Sequence, residues 1–318
     1  MLFLFVLVCL SHSFTFEEWV KKHNKHFTTA EILRRRAIFV DNLNYVIAND
    51  NTKEYRLSVE GPFASMTNEE YKTLLHSVPP PTQPSSAVKS VSSSPNSFDM
   101  RSVNEKNCVT DPRDQGNCGS CYAFATASLI ESKMLYKYSD LNRANYYLSP
   151  AEIISCAYKY GASGCDGAPL NSAFDYIKSK GIGSESSFPY TTKDDYCKST
   201  PRVAELDSYR YKNCAGEDSC HRDLIYSYKG TVVAFDASRA NFQLYTKGIY
   251  KDRCKTDNPT HTVHVIGYGV DEEGIQYFIA KNSYGKTWGE NGYFRISAAD
   301  NMCGFSNYVY YAGEVDKA

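Results

Sequence analysis

The sequence predicts an α+β protein in which a helical half precedes a β-rich half, with a further helical segment in front of both. Over residues 15–50, apolar residues recur at helical spacing among charged ones. Helix-compatible runs return between residues 120 and 180. From Thr231 onward, short stretches rich in Val, Ile, Tyr and Phe are separated by turn residues. The 318 residues suffice for one large or two medium domains.

The composition excludes some classes of partner. A net charge of −1 gives no reason to expect nucleic acid or an anionic membrane surface. Residues 1–13 read as a signal peptide cut near Ser13, and this run is too short to span a bilayer. Because no later run reaches 18 apolar residues, we expect no membrane span. The 11 cysteines suit an oxidising compartment. We therefore expect the secretory pathway, ending in a lysosome-like vesicle or outside the cell.

The segment that follows the predicted signal peptide, residues 14–94, is predicted to be helical to about residue 76. A linker, residues 76–97, follows and carries Pro79–Pro81 and many serines. This composition stays extended and solvated, so a protease can reach it. We expect cleavage between about Ser85 and Asn96.

The central stretch is Gln115–Tyr122, with the sequence Gln-Gly-Asn-Cys-Gly-Ser-Cys-Tyr. Apolar spacing predicts a helix from about residue 120 to 138, which places Cys121 in its first turn. The unpaired N–H groups and the positive dipole end there favour a thiolate, the nucleophilic form of cysteine. Gln115 offers an amide N–H to an oxyanion at the same spot. Half a zinc site or a redox pair is the alternative interpretation, but no second Cys-x-x-Cys and no His-x₃₋₅-His accompanies the stretch.

Further elements follow in chain order. Ser149, Pro150 and Glu152 form the start signal of a helix, and a helical run over residues 170–180 ends at Gly181. Strands are predicted at 231–237, 261–268, 275–281 and 292–297, with a hairpin loop at 271–274. The second half is therefore an antiparallel sheet or barrel.

The segment Cys118-Gly119-Ser120-Cys121-Tyr122 resembles the nucleophile segment of the papain family of cysteine proteases. The first helical segment resembles the prosegment motif of the cathepsin L-like members, with Val and Asp in the last two places. Its motif residues are Glu31, Arg35, Phe39, Asn42, Val46 and Asp50. Residues 95–101 resemble a mature N-terminus of the family, with Met100 where Trp is usual.

The resemblance implies a set of catalytic residues. Cys121 is the nucleophile and Gln115 an oxyanion donor. His261, six residues before Gly-Tyr-Gly, is the base, and Asn282 orients it. His264, three residues further along the strand, should face the other way and be structural. Tyr284 stands where the family has a tryptophan that shields the His–Asn bond, so we expect a less complete cover.

The resemblance also implies disulfides and a substrate cleft. The implied pairs are Cys118–Cys165, Cys156–Cys197 and Cys254–Cys303, which leaves Cys108, Cys214 and Cys220 for at most one further bridge. The implied substrate-binding residues are Gly167, Ala168, Leu170, Ala234, Thr262, Trp288 and Tyr308. Leu170, Ala234, Thr262 and Tyr308 would line the pocket for the second residue before the scissile bond. A tyrosine at 308 should shorten that pocket and favour small or medium apolar residues.

A papain-like two-domain fold follows from the resemblance, with a helical left domain, a right domain resembling an antiparallel β-barrel, and the active site in the cleft between them. The expected organisation is a signal peptide at 1–13, an inhibitory propeptide at 14–94 and a peptidase domain at 95–318. The expected activity is that of a monomeric cysteine endopeptidase, a hydrolase of protein or peptide substrates made as a zymogen. It needs no metal or cofactor, and its own propeptide and cystatin-like proteins are its candidate inhibitors. Two other functions stay open: a catalytically impaired binding or inhibitory homologue, and an acyltransferase with the same Cys-His-Asn chemistry.

Overall fold

A computed structural model of the chain describes residues 14–50, 54–87, 94–217 and 219–318. The predicted signal peptide at 1–13 lies outside these ranges, as do residues 88–93 of the predicted cleavage region. The α-helices are α1 (Phe16–Lys22), α2 (Thr29–Asn49), α3 (Asn68–Lys72), α4 (Cys121–Lys137), α5 (Pro150–Cys156), α6 (Leu170–Lys180), α7 (Cys220–Tyr228) and α8 (Ala240–Gln243). The strands are β1 (Tyr55–Leu57), β2 (Phe98–Asp99), β3 (Ile182–Gly183), β4 (Arg202–Leu206), β5 (Tyr209–Lys212), β6 (Thr231–Phe235), β7 (Tyr245–Tyr250), β8 (His261–Val270), β9 (Gln276–Lys281), β10 (Tyr293–Ser297), β11 (Tyr308–Ala312) and β12 (Val315–Asp316).

Capping boxes begin the helices of the N-terminal segment. Thr15, Thr28 and Thr67 each accept a hydrogen bond from the backbone N–H of the glutamate three residues later. The glutamate side chain in turn accepts from the threonine's own N–H. Each Thr-x-x-Glu therefore satisfies two donors that a helix start otherwise leaves unpaired.

One face of α2 holds the following chain in place. Arg35 donates to the Glu70 carboxylate at 2.7 Å, and Asn42 donates to the carbonyl oxygens of Ala64 and Met66 at 2.8 and 2.9 Å. Phe39, between them on the helix, is buried in the core. The four- and three-residue spacing of this motif places its side chains on one stripe, which the structure uses to fold the segment back on itself.

The helical half is organised around α4, whose residues are buried on almost every side. The helix begins at Cys121 and ends at Lys137, within one residue of the predicted bounds. Ser149 caps α5 by accepting from the Glu152 N–H at 3.0 Å, as the start signal predicts. Residues of α4, α5 and α6 share one hydrophobic core. The nucleophile segment therefore begins a helix that this core holds firmly.

The β half is one large sheet with strand order β1-β7-β10-β9-β8-β6-β11-β5, with β2 added against β8. In the described residues this sheet is open, so of the two predicted forms, an antiparallel sheet or a barrel, the structure has the sheet. Most neighbouring strands are antiparallel, but β7 and β10 run parallel to each other. The chain between these two strands contains β8 and β9, which supply the crossover that a parallel pair requires. A smaller sheet has the order β12-β4-β3.

Four disulfides link the described cysteines. Three are the pairs that the resemblance implies: Cys118–Cys165, Cys156–Cys197 and Cys254–Cys303. The fourth joins Cys214 to Cys220 across a separation of six residues. Among the cysteines that the structure describes, Cys108 and Cys121 are free thiols, and both are buried.

Candidate active site

Cys121 occupies the first position of α4, with Ser120 as the preceding cap residue. Burial raises the pKa of the Cys121 thiol. The backbone N–H groups of Thr262, Tyr122 and Cys121 itself act in the opposite direction. The N–H groups of the helix start therefore favour the thiolate as predicted, but the loss of water around the sulfur has the larger effect in this covered form.

Gln115 is fixed by three hydrogen bonds, one of them to Cys118 in the segment that leads into α4. Its amide nitrogen Nε2 donates to the Cys118 carbonyl at 2.9 Å, and its Oε1 accepts from the Ser283 hydroxyl at 2.5 Å. Its backbone N–H donates to the Ser283 carbonyl at 2.9 Å. Because an amide NH₂ carries two hydrogens, one remains for a further acceptor. Ser283 follows Asn282, so the oxyanion candidate and the orienting asparagine are held by neighbouring residues.

His261 and Asn282 form the second part of the site. His261 begins β8, and Asn282 follows the last residue of the adjacent strand β9. His261 Nε2 and Asn282 Oδ1 lie 2.8 Å apart, while His261 Nδ1 has no hydrogen-bond partner among the described residues. Burial lowers the pKa of His261 to about 4, and the bond to Asn282 opposes this shift. The arrangement leaves Nδ1 available to exchange a proton with a thiol.

Tyr284 covers the His261 ring. The two rings stack with centroids 4.8 Å apart and planes 24° from parallel. Two aromatic side chains of the N-terminal segment complete the cover. The Phe63 ring meets Tyr284 edge-on at 4.9 Å, and the Tyr71 hydroxyl lies 3.2 Å from the Tyr284 hydroxyl. Tyr284 is only 2% exposed as a result.

The N-terminal segment runs through the cleft next to Cys121. The His76 backbone N–H donates to the Thr260 carbonyl at 3.1 Å, and the Val78 N–H donates to the Pro259 carbonyl at 3.0 Å. The His76 ring packs so closely on Gly119 that a Cβ there would lie 2.2 Å from the imidazole Nδ1. The cleft is therefore filled by the chain itself, and glycine at 119 is needed for the close approach.

The predicted pocket residues come together on three strands. Thr262 pairs with Ala234 across β8 and β6, and Ala234 pairs with Tyr308 across β6 and β11. Leu170, at the start of α6, belongs to the same apolar cluster, and so does Val78 from the N-terminal segment. Val78 is thus buried in the same apolar core as the predicted pocket residues.

The remaining predicted cleft residues lie in two places. Gly167 has a φ of 94° and meets the His76 side chain, so it borders the occupied cleft. Ala168 does not have a positive φ, so its methyl group does not strain the backbone. Trp288 lies apart from the pocket, fully buried between Phe242 and Tyr284 at centroid distances of 5.0 and 5.4 Å.

A buried charged cluster lies behind Asn282, and the sequence analysis missed it. Lys281 Nζ donates to the Thr110 hydroxyl at 2.7 Å and lies 3.9 Å from Glu131 Oε2. Arg113 donates to the other Glu131 oxygen at 2.8 Å. Burial lowers the pKa of Lys281 to about 7, with Glu131 opposing the shift. The available signal was Glu131, a charged residue directly after Leu129 and Ile130 in the apolar repeat of α4.

Two further features of this region, His264 and a group of metal-type ligands, are explained without a catalytic or metal-binding role. His264 is fully buried, and its Nδ1 lies 2.9 Å from the Ser128 hydroxyl. This contact with α4 agrees with the structural role predicted for His264. Where the structure describes the chain, one group of metal-type ligands comes together: Cys118, Cys165 and Asp194. Both sulfurs belong to one disulfide, so they offer no thiolate to a metal.

Comparison with known proteins agrees with this geometry. The model of the papain family cysteine protease matches residues 94–313. The chain belongs to the papain family. A second model, the cathepsin propeptide inhibitor domain, matches residues 16–71, so the N-terminal segment is a prosegment.

Relatives and solved structures cover almost the whole chain. Cysteine proteinase 1 of Entamoeba histolytica is 36% identical over 99% of both chains. Procathepsin L of Mus musculus is 31% identical over 92% of this chain and 90% of its own. The structure of digestive procathepsin L 3 from the larval midgut of Tenebrio molitor superposes with a TM-score of 0.82 at 31% identity. It covers 94% of this chain and 97% of the other.

The protein is therefore a cysteine protease, a hydrolase of peptide bonds, made as a zymogen with its own inhibitory prosegment. The papain-like fold is confirmed, and the comparisons give no support to a catalytically impaired homologue. Among the helices in the described ranges, none is long and apolar enough to cross a membrane.

Proposed function

We propose that Cys121, His261, Asn282 and Gln115 carry out the hydrolysis. The observation that carries the proposal is the His261–Asn282 hydrogen bond of 2.8 Å, which leaves the other imidazole nitrogen without a partner in the described part of the chain. The start of α4 supplies the nucleophile, and the fixed Gln115 amide supplies a spare donor beside it.

The reaction has two halves. His261 Nδ1 takes the Cys121 proton, and the thiolate attacks the peptide carbonyl carbon. The oxyanion accepts hydrogen bonds from the Gln115 amide and the Cys121 N–H, and losing one such donor costs about 10²–10³ in turnover. The imidazolium then protonates the leaving amine, and a thioester remains on Cys121. A water molecule deprotonated by His261 hydrolyses the thioester, which restores the thiol.

The prosegment, proposed as residues 14–94, suppresses this chemistry in two ways. It fills the cleft with His76 and Val78, which excludes substrate. It also helps to bury the site, and burial raises the pKa of Cys121 and lowers that of His261, so both groups favour their neutral forms. Cleavage in the linker would free a peptidase domain, proposed as residues 95–318, whose rehydrated site forms the ion pair more readily.

The prosegment side chain Val78 indicates which substrate residue the predicted pocket prefers. Val78 packs in the apolar cluster that holds Leu170 and Ala234. Tyr308 lies opposite Ala234 on the neighbouring strand β11. We infer that the second residue before the scissile bond is small or medium and apolar. A peptide-library profile of the processed enzyme tests this, and a preference for Arg or Phe would rule it out.

We also propose where the protein acts, its oligomeric state and its inhibitors. The disulfides favour passage through the secretory pathway, with a lysosome-like vesicle or the extracellular space as the destination. We propose a monomer, and we propose cystatin-like proteins as inhibitors because they would find the same cleft once the prosegment has left.

Turnover of a fluorogenic peptide tests the catalytic assignment. The zymogen variants Cys121→Ser, His261→Ala and Asn282→Ala are processed by an added protease, because they should not process themselves. We expect the first two to lose at least about 10³ in kcat, and the third to lose less because it acts through His261. Cys108→Ser, which replaces the second free thiol of the described residues, is the control and should keep full activity. Full activity of Cys121→Ser would overturn the proposal.

A further inference from the structure

The last strand of the large sheet, β5, has a partner strand on one side and linker residues on the other. It pairs with β11 in an antiparallel register, Tyr209 opposite Ala312 and Tyr211 opposite Tyr310. In such a pair, alternate residues point their backbone N–H and C=O groups away from the partner strand. Tyr211 is one of these, because its carbonyl accepts a hydrogen bond from the linker. The outer edge of β5 can therefore accept another extended chain.

Three contacts hold the linker on this edge, at every second residue from Tyr209 to Asn213. The Gln83 amide donates to the Tyr209 hydroxyl at 2.6 Å. The Ser86 N–H donates to the Tyr211 carbonyl at 2.8 Å, and the Asn213 N–H donates to the Ser85 hydroxyl at 3.1 Å. Two of the three use backbone groups of the strand end, and these groups would bind many sequences.

One continuous stretch of the prosegment joins the cleft to this edge. His76 packs on Gly119, two residues before Cys121, and Val78 is buried in the apolar cluster that holds the predicted pocket residues Leu170 and Ala234. The chain leaves His76 at Gly119, passes through Val78, and reaches β5 with residues 83–86. In a substrate, the segment in this direction is the one on the N-terminal side of the scissile bond. At about 3.3–3.6 Å per residue, five to eight residues beyond the pocket reach the edge.

We propose that, once the prosegment has left, the β5 edge binds the extended N-terminal part of a long polypeptide substrate. This rests on the proposed function. Removing the linker leaves the Tyr211 carbonyl and the Asn213 N–H without the partners they have in the zymogen, and an unpaired strand edge readily accepts a further strand. The occupant is an unfolded segment of a protein, since a short peptide cannot span from the cleft to β5.

The expected effect is on binding rather than on chemistry. One or two net backbone hydrogen bonds should lower KM about three- to tenfold for a substrate long enough to reach the edge. Because these contacts are the same in the bound substrate and in the transition state, kcat should stay unchanged.

The test compares three peptides on the processed enzyme. The first is a fluorogenic eight-residue core that fills the cleft. The second carries ten additional residues on its N-terminal side. The third has the same extension with alternate backbone nitrogens methylated, which removes N–H donors. We expect the plain extension to lower KM about three- to tenfold and the methylated one to lower it less than twofold. Equal KM values for the core and the plain extension, or equal gains from both extensions, would overturn the proposal. Hydrolysis of the core alone reports the proposed catalytic function separately.

A matched pair of variants locates the effect on the enzyme. Asn213→Pro removes the outward N–H just beyond β5, whereas Asn213→Ala keeps it. Both lose the side-chain contact to the Ala215 N–H. We expect the gain from the plain extension to persist in Asn213→Ala and to fall below twofold in Asn213→Pro, with both variants cleaving the core as well as the parent enzyme does. An undiminished gain in an active Asn213→Pro would refute the assignment to this edge, and if that variant does not fold, the methylated peptide decides.

Discussion

The contact between Tyr71 of the prosegment and the aromatic cover of His261 predicts how firmly the zymogen is closed. The Tyr71 hydroxyl is fully buried, donates to the Ala237 carbonyl at 3.1 Å and lies 3.2 Å from the Tyr284 hydroxyl. The variant Tyr71→Phe keeps the ring and removes both contacts. A buried polar group left without its partner costs about 1–3 kcal/mol. Since about 1.4 kcal/mol corresponds to tenfold, the open form of the zymogen should become about 5- to 150-fold more populated.

The assay is the initial rate of the intact zymogen on a small fluorogenic peptide, before any processing is visible on a gel. This rate reports the fraction of molecules whose cleft is open, so it should rise by the same factor in Tyr71→Phe. Leu33→Ala, at a prosegment side chain that is 69% exposed, is the control and should behave like the parent. An initial rate within twofold of the parent in Tyr71→Phe would show that this contact does not hold the prosegment closed.

Three further predictions concern the peptidase domain. Tyr284→Trp should give the processed enzyme a shifted pH–activity profile, because a larger ring covers the His261–Asn282 bond more completely; an unchanged profile counts against a shielding role. Tyr308→Ala should deepen the pocket and raise the relative kcat/KM for substrates with Phe at the second position, measured against Val; an unaltered Phe/Val ratio would place Tyr308 outside the pocket. Lys281 has a pKa lowered by burial to about 7, so its burial cost is fully present below pH 7 and declines as the pH rises towards the value of an unfolded lysine. The stability of Lys281→Met relative to the parent, from urea unfolding, should therefore fall between pH 7 and 9 by up to about 1.4 kcal/mol per pH unit, and a pH-independent difference would contradict this shift.

Features that depend on local spacing could be predicted from the sequence. The helix that begins at Cys121 follows from its apolar repeat and the preceding glycines. The capping boxes follow from Thr-x-x-Glu, and the hairpin between β8 and β9 follows from its Asp-Glu-Glu-Gly turn. The positions of His261 and Asn282 needed the family resemblance as well, because a lone histidine in a strand gives no sign of its role.

Features that depend on contacts between distant segments could not be predicted. The prosegment adds β1 to the edge strand β7, and nothing in the three residues of β1 specifies this partner. The open sheet and its parallel pair depend on how β7 joins the other strands. The assignment of Trp288 to the cleft came from its motif, whereas its burial between rings from other segments depends on the tertiary fold. The cluster around Lys281 likewise joins residues that lie far apart in the chain.

The most direct test of the central claim is covalent labelling with an epoxide inhibitor of the E-64 type, followed by mass spectrometry, before and after removal of the prosegment. The structure offers an internal control, because Cys108 is a second buried free thiol whose pKa is also raised by burial. The account predicts one adduct, at Cys121, in the processed protein only, with loss of peptidase activity in proportion to labelling. An adduct at Cys121 in the intact zymogen at the same rate, or none in folded, processed protein, would contradict it.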